Sequence, residues 1–163
     1  QHSCEVPVDF HPRYQKTIKT YEYRILNRRF PLPAYRLNTY FTYYTLDIKR
    51  MREAASYLIG EHDFQSFCAA GAQVKTTIRT IYDLQIVKEE DLITLRITGN
   101  GFLYNMVRII AGTLIKVGSG EWEPCVIPGI LAAKDRRVAG PTAPAKGLTL
   151  MEIHFQGKSE ENH

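Results

Sequence analysis

The chain has 163 residues, 44% of them hydrophobic and 23% charged, a composition that supports a folded domain with a substantial core. Its net charge of +4 permits a polyanionic partner without requiring one. Three cysteines without a CxxC spacing argue against a disulfide framework and fit a reducing compartment, and the five histidines lack zinc-ligand spacing. No apolar run reaches the roughly 20 residues of a membrane span. We therefore expect a cytoplasmic protein without a metal ion or a membrane segment.

The first two elements predicted along the chain are extended segments. Residues 17–26 alternate, with Tyr21, Tyr23 and Ile25 on one face, as in a half-buried strand. A basic loop with two prolines follows. Residues 38–46 are β-branched and aromatic, and they predict a second strand or extended stretch.

A helix is predicted directly after these strands. Asp47 is placed to cap it, and Gly60 is placed to end it. Its apolar stripe consists of Met51, Ala54, Ala55, Leu58 and Ile59. Residues 61–67 predict a short turn anchored by two aromatic side chains. Within that turn, His62-Asp63 is compatible with acid–base work, but a capping role for Asp63 is favoured.

The second half of the chain predicts a hairpin, two helices and a last strand. Strands 76–88 and 92–98 flank a Glu-Glu-Asp turn, and the second strand alternates cleanly between apolar and polar residues. Helices are predicted near 102–117 and 126–134, and a basic, proline-containing loop follows. The last strand, 148–155, is expected to place Thr149, Met151, Ile153 and Phe155 on one face, opposite Leu148 and Leu150.

The element order β-β-α-β-β-α-α-β predicts an α+β domain with a mostly antiparallel sheet and helices packed on one face. We expect residues 1–157 to form one domain and residues 158–163 a polar tail. The chain opens with Gln1, and its first dozen residues read like the middle of a longer protein, which predicts a fragment.

Arg108 interrupts the apolar run of the helix at 102–117. On a helical wheel it lies opposite the apolar arc, so an ordinary solvent-side arginine is one interpretation. The other is an arginine that holds a carboxylate or phosphate in a bidentate pair. Gly112, one turn later, leaves the backbone bare, so a neighbouring segment can pack closely there.

Other candidate residues also have two interpretations. Tyr21 is either a core strand tyrosine or a cleft tyrosine with its ring against a base. The cations Lys134, Arg136 and Arg137 suit a solvated helix end, but with Lys146 they also suit a nucleic-acid backbone. Leu148 belongs either to the main core or to a cleft lining.

Several segments, taken in order, resemble the C-terminal part of the TruA family of tRNA pseudouridine synthases. They are Phe10-His11-Pro12-Arg13, Lys19-Thr20-Tyr21-Glu22-Tyr23, Met51-Arg52-Glu53-Ala54-Ala55, the run from Gly60 to Phe67, the run from Asn100 to Gly112, Ala132-Ala133-Lys134-Asp135-Arg136 and the run from Thr142 to Leu148.

This resemblance implies that the chain is one half of a pseudouridine synthase catalytic domain, with an RRM-like or ferredoxin-like fold. It also implies that the complete enzyme has two such halves and is a homodimer. The implied activity is a cofactor-free isomerisation of uridines 38–40 in the tRNA anticodon arm, which requires extrusion of the base. It further implies that Tyr21 lies against the target base, that Arg108 pairs with the catalytic aspartate, and that Leu148 lines the pocket.

The family's nucleophilic aspartate lies in a Gly-Arg-Thr-Asp-Ala-Gly motif, which does not occur here. We therefore expect the N-terminal domain to be absent and the chain alone to be inactive. Arg108 should then be exposed and unpaired, and the former domain interface should leave an apolar patch. The alternatives are a non-catalytic RNA-binding α+β module and a small α+β domain without a role in RNA binding.

Overall fold

A computed structural model of the chain describes residues 16–155. Its strands are β1 (Thr17–Asn27), β2 (Tyr40–Thr42), β3 (Gly60–Asp63), β4 (Ile78–Glu89), β5 (Leu92–Gly99) and β6 (Leu148–Phe155). Its helices are α1 (Ile48–Ser56), α2 (Met106–Gly118) and α3 (Val126–Ala133). Short 3-10 turns lie in the connecting loops. No helix within residues 16–155 is long and apolar enough to cross a membrane.

The six strands form one sheet in the order β2-β1-β5-β4-β3, and β6 pairs with β1. All pairs are antiparallel except β1 with β2. The strand β1 is central, since β5 lies along one edge while β6 and β2 share the other. This confirms the predicted α+β class with its mostly antiparallel sheet.

One face of the sheet forms the core with the helices. Tyr23, Ile25, Ile93 and Leu95 on this face are buried, as are the apolar residues of α1 and α2 that cover it. The predicted alternation of β5 is confirmed, because Ile93, Leu95 and Ile97 are buried, whereas Arg96 is exposed. Asp47 caps α1 as predicted, and its carboxylate accepts from the Arg50 N–H at 3.2 Å.

The helix α2 begins at Met106 and not at residue 102. Asn105, the residue before it, has left-handed backbone angles with φ of 57°, which a continuous helix does not allow. The preceding residues 100–105 therefore form an irregular turn between β5 and α2. This difference places Phe102 beside β1 and Arg108 in the first turn of the helix.

The expected faces of the last strand are wrong, because β6 contains a bulge. The register with β1 shifts between Thr20 and Tyr21, so Tyr21 pairs with Leu150 while Lys19 pairs with Ile153. The bulge places Ile153 on the same face as Leu150 instead of the opposite one. The turn expected at 61–67 also differs, since its first residues form β3 along the edge of β4.

Apolar side chains on β6 are widely exposed. Leu150, Met151 and Ile153 are 44%, 43% and 40% exposed. The outer edge of this strand pairs with no strand in the described part of the chain. Exposed apolar side chains therefore lie along β6, and their assignment to a former domain interface stays a prediction.

Candidate functional site

The loop of residues 140–147 docks on the N-terminal half of α2. The Ala143 N–H donates to the Arg108 carbonyl at 3.1 Å, and the Gly140 N–H donates to the Thr113 hydroxyl at 2.9 Å. A side chain at Gly112 would overlap the Pro141 carbonyl, so the bare backbone there is what lets the loop approach. The prediction that a segment packs closely against Gly112 is confirmed.

Arg108 is half-buried and fixes this loop. Its Nε donates to the Ala143 carbonyl at 2.7 Å, and its Nη1 donates to the Asn105 side-chain oxygen at 3.0 Å. The expectation of an exposed arginine is therefore wrong, because the loop covers it. No carboxylate of residues 16–155 lies within 4 Å of its guanidinium, which leaves Nη2 without a partner in this range.

Tyr23 holds the same loop from the sheet. Its ring is fully buried, and its hydroxyl donates to the Pro144 carbonyl at 2.7 Å. Burial raises the pKa of this phenol, and the nearby Arg108 charge opposes the rise only in part. The hydroxyl therefore stays protonated and can donate. A side chain at Gly147 would contact the Tyr23 ring, so the loop fits closely against β1.

Tyr21 lies one step along the same face of β1 and is half-buried. Its ring meets Phe102 edge to face, with the centroids 5.3 Å apart and the planes at 88°. Its hydroxyl has no hydrogen-bond partner among residues 16–155. Burial raises the pKa of Tyr21, so it is a neutral phenol at pH 7.

Leu148 and Leu150 extend the apolar surface beside the two tyrosines. Leu148 pairs with Tyr23 and is partly buried against the core, and Leu150 pairs with Tyr21 and is 44% exposed. The fold thus brings Tyr21, Leu148 and the loop held by Arg108 to one edge of the domain. The arrangement offers an aromatic and apolar wall beside an arginine with one free edge.

The predicted basic residues lie in different surroundings. Arg136 is half-buried, and its Nη2 donates to the Thr142 hydroxyl at 3.2 Å, next to the loop that binds Arg108. Arg137 is exposed and makes a bidentate pair with Asp135, which lowers the pKa of that carboxyl to about 2. Lys146 is exposed and lines a groove with Arg36.

Asp63 has the capping role that was favoured. Its carboxylate accepts from the Gln65 N–H at 3.1 Å and from the Thr77 hydroxyl at 2.6 Å, and it pairs with Lys134 at 3.2 Å. The Thr77 hydrogen bond is the main reason that the pKa of Asp63 is lowered. Within residues 16–155, no group of three or more His, Cys, Asp or Glu side chains is placed to hold a metal ion.

Three residues of this region were not singled out from the sequence: Phe102, Asn105 and Tyr23. Phe102 was assigned to the helix predicted near 102–117, and Tyr23 to one face of a half-buried strand. Asn105 could have been recognised from the sequence, because asparagine tolerates left-handed backbone angles better than most residues and Asn105 interrupts an apolar run. The contacts of the other two residues depend on segments distant in sequence.

Comparison with known proteins gives consistent matches. A family model described as tRNA pseudouridine synthase matches residues 54–156, more than half of the chain. A protein of Acetivibrio thermocellus named tRNA pseudouridine synthase A is 46% identical over 153 residues, covering 94% of this chain and 63% of the relative. One of Thermoanaerobacter pseudethanolicus with the same name is 51% identical over 151 residues, covering 93% and 62%. The chain therefore spans less than two thirds of the length of these relatives.

Proposed function

Because this chain belongs to the tRNA pseudouridine synthase family, we propose that it is the C-terminal α/β domain of an enzyme that converts uridine to pseudouridine in tRNA. The targets would be uridines 38–40 of the anticodon arm. The reaction breaks the bond from ribose C1′ to uracil N1 and forms one from C1′ to C5. C5 then loses a proton and N1 gains one, so there is no net oxidation and no cofactor is needed.

The observation that carries this proposal is the edge where Tyr21, Leu148 and the loop held by Arg108 meet. A uridine extruded from its stack needs an aromatic or apolar wall to replace the lost stacking. The half-buried Tyr21 ring, supported by Phe102, supplies such a wall, and its hydroxyl makes no hydrogen bond within residues 16–155.

In this proposal Tyr21 also handles the proton that leaves C5. Its raised pKa disfavours the phenolate in the chain without RNA. Tyr21 therefore becomes a base only when a cation or a hydrogen-bond donor comes near its hydroxyl in the substrate complex. Until then it acts as a neutral stacking surface.

Arg108 is proposed to orient the nucleophilic aspartate. A guanidinium presents five N–H donors, and the two bonds to Ala143 and Asn105 leave Nη2 available. No aspartate of residues 16–155 occupies that position. The whole sequence also lacks the Gly-Arg-Thr-Asp-Ala-Gly motif of the family's nucleophile. The nucleophile is therefore proposed to come from a part of the enzyme that these 163 residues do not include, and the isolated chain is expected to be inactive.

The remaining site residues are assigned to substrate binding. Leu148 would line the base pocket beside Tyr23. Arg136 lies next to the docked loop, whereas Arg137 and Lys146 are exposed, and we propose that all three contact phosphates outside the pocket.

The test is an assay of pseudouridine in unmodified tRNA, with the longer protein that contains this chain and with the chain alone. We expect turnover only by the longer protein, and Tyr21→Phe and Arg108→Lys to reduce kcat at least 100-fold, a typical effect for a group that acts in the transition state. Tyr57→Phe and Arg52→Lys are matched controls, since Arg52 also donates from Nε to a backbone carbonyl but lies on α1.

Turnover by the isolated chain would show that the nucleophile lies within it. Salt-dependent tRNA binding by a longer protein without turnover would favour a non-catalytic RNA-binding module. Failure of both binding and turnover would leave a small α+β domain with no role in RNA chemistry.

Two further parts of the proposal concern the whole enzyme. We infer that it acts as a homodimer in the cytoplasm, where its tRNA substrate is found. Light scattering of the longer protein after size exclusion tests the first part, and a monomeric mass at micromolar concentration would contradict it.

A further inference from the structure

An open groove lies next to the Tyr21 site and shares the Phe102 ring with it. The start of β1, the start of β4 and the turn after β5 form its walls. Its lining includes Lys16, Lys19, Arg79, Tyr82, Asn100 and Phe102. The groove therefore continues the Tyr21 site along the surface.

The cations of this groove lack partners in the described part of the chain. No carboxylate of residues 16–155 lies within 4 Å of Lys16, Lys19 or Arg79, and no acidic residue lines the groove. Some cations elsewhere are paired, as Lys116 is with Glu121 at 2.7 Å. The groove thus carries a local positive field that no acidic group lining it neutralises.

Arg79 is held in a defined orientation. Its Nη1 donates to the Thr76 carbonyl at 2.8 Å and to the Ile78 carbonyl at 2.6 Å, while Nε and Nη2 have no partner within residues 16–155. The adjacent turn is fixed as well, since Asn100 exchanges hydrogen bonds with the Thr80 backbone at 2.9 and 3.0 Å. A guanidinium held this way presents two parallel donors, the geometry that suits a phosphate.

The groove also runs along β1 from the position of Tyr21. Lys19 is two residues from Tyr21 on the same face of β1, a step of roughly 6.6 Å along a strand. Tyr82, 50% exposed, adds a ring on which a base can stack. An aromatic ring between cations is more typical of a nucleic-acid strand than of an acidic peptide.

We propose that this groove binds the phosphates that flank the target nucleotide in the RNA strand, with Lys19 and Arg79 as the main contacts. This assignment rests on the proposed function, because it takes Tyr21 as the place of the extruded base. The RNA strand leaves the Tyr21 site past Phe102 and meets Lys19 and then Arg79.

The test measures binding of a labelled anticodon stem-loop RNA to the 163-residue chain by fluorescence anisotropy, over a series of salt concentrations. The test variant is Lys19→Gln/Arg79→Gln. The control, Lys49→Gln/Lys88→Gln, removes the same charge from α1 and from the far end of β4. Circular dichroism melting verifies that each variant is folded.

We expect the groove variant to raise Kd roughly tenfold at low salt. It should lower the slope of log K against log salt by about 1.4, since each contact to a single strand contributes about 0.7. The control should change neither quantity by more than a fraction of this. Equal effects of the two variants, or no binding by the wild-type chain at low salt, would overturn the proposal.

A second measurement locates the contacts on the RNA. Single neutral methylphosphonate linkages are placed on either side of the target uridine. At least one should weaken binding of the wild-type chain several-fold and have no further effect on the groove variant. Additive effects would refute the assignment.

These outcomes separate the groove from the proposed function. Pseudouridine formation by the longer protein, together with unchanged RNA affinity of the groove variant, would refute the groove alone. Groove-dependent binding without pseudouridine formation would refute the catalytic function and leave an RNA-binding surface.

Discussion

Replacing Gly112 by alanine should destabilise the chain, whereas the same change at Gly129 should stabilise it. Both glycines lie within helices, α2 and α3, and both replacements improve helix propensity by about 1 kcal/mol. They differ in what the new methyl group meets. At Gly129 no atom lies within 4 Å apart from the adjacent residues and the backbone of the same helix, whereas at Gly112 the Pro141 carbonyl occupies the space.

The loss of unfolding free energy in Gly112→Ala can be estimated from the hydrogen bonds that hold the loop of residues 140–147. To make room, the Pro141 carbonyl must withdraw, and this breaks the pair of bonds between Arg108 and Ala143. A neutral hydrogen bond contributes about 1 kcal/mol and a charged one about 1.5–3 kcal/mol. After the gain in helix propensity is subtracted, Gly112→Ala should cost about 1.5–3 kcal/mol.

The assay is urea denaturation of the 163-residue chain, followed by circular dichroism. With an m-value of about 1–3 kcal/mol/M, the Gly112→Ala midpoint should fall by roughly 0.5–3 M, while the Gly129→Ala midpoint should rise by roughly 0.3–1 M. A Gly112→Ala variant as stable as wild type, beside a stabilised Gly129→Ala, would refute close docking of the loop. A destabilised Gly129→Ala would instead refute the helix-propensity part of the reasoning.

Three further changes test neighbouring contacts. Tyr23→Phe should lower the free energy of unfolding by about 1 kcal/mol in the same assay, because the hydrogen bond from the Tyr23 hydroxyl to the Pro144 carbonyl is lost; no loss would mean that water replaces this hydrogen bond. Arg108→Lys should speed hydrogen exchange at the Ala143 amide, and unchanged exchange would show that other contacts hold the loop. The pKa of Asp63 is held below 3.8, so its ionised form stabilises the fold above that pH and this stabilisation is lost as the pH falls through the lowered pKa. Asp63→Asn should therefore flatten the loss of stability in acid, and an acid titration identical to that of wild type would contradict this.

Elements set by neighbouring residues were predictable from the sequence. The helix α1 follows from the Asp47 cap and the apolar stripe after it, and the β4–β5 hairpin follows from alternation around a polar turn. Gly112 also gave a correct signal, since a bare turn in an apolar helix indicates close approach of another segment.

The features that were missed depend on pairings between distant segments. The bulge in β6 is a register shift against β1, so the alternation of β6 alone assigned Ile153 to the wrong face. The exposure of Arg108 was wrong for a similar reason, because the loop that covers it lies 35 residues further along the chain. A helical wheel shows on which side of its own helix a residue lies, but it does not show which distant segments of the chain pack against that side.

The position of Arg108 explains how one residue can serve both the fold and the proposed chemistry. Two of its nitrogens are used within the chain, for Ala143 and Asn105, and these bonds fix the plane of the guanidinium before any carboxylate arrives. The free edge is then already oriented, so less side-chain entropy is lost when an aspartate binds. A lysine would keep the charge but could not hold the loop and orient a carboxylate at the same time. An arginine needed only for its charge would tolerate that replacement, whereas an arginine that positions the loop and the nucleophile together would not.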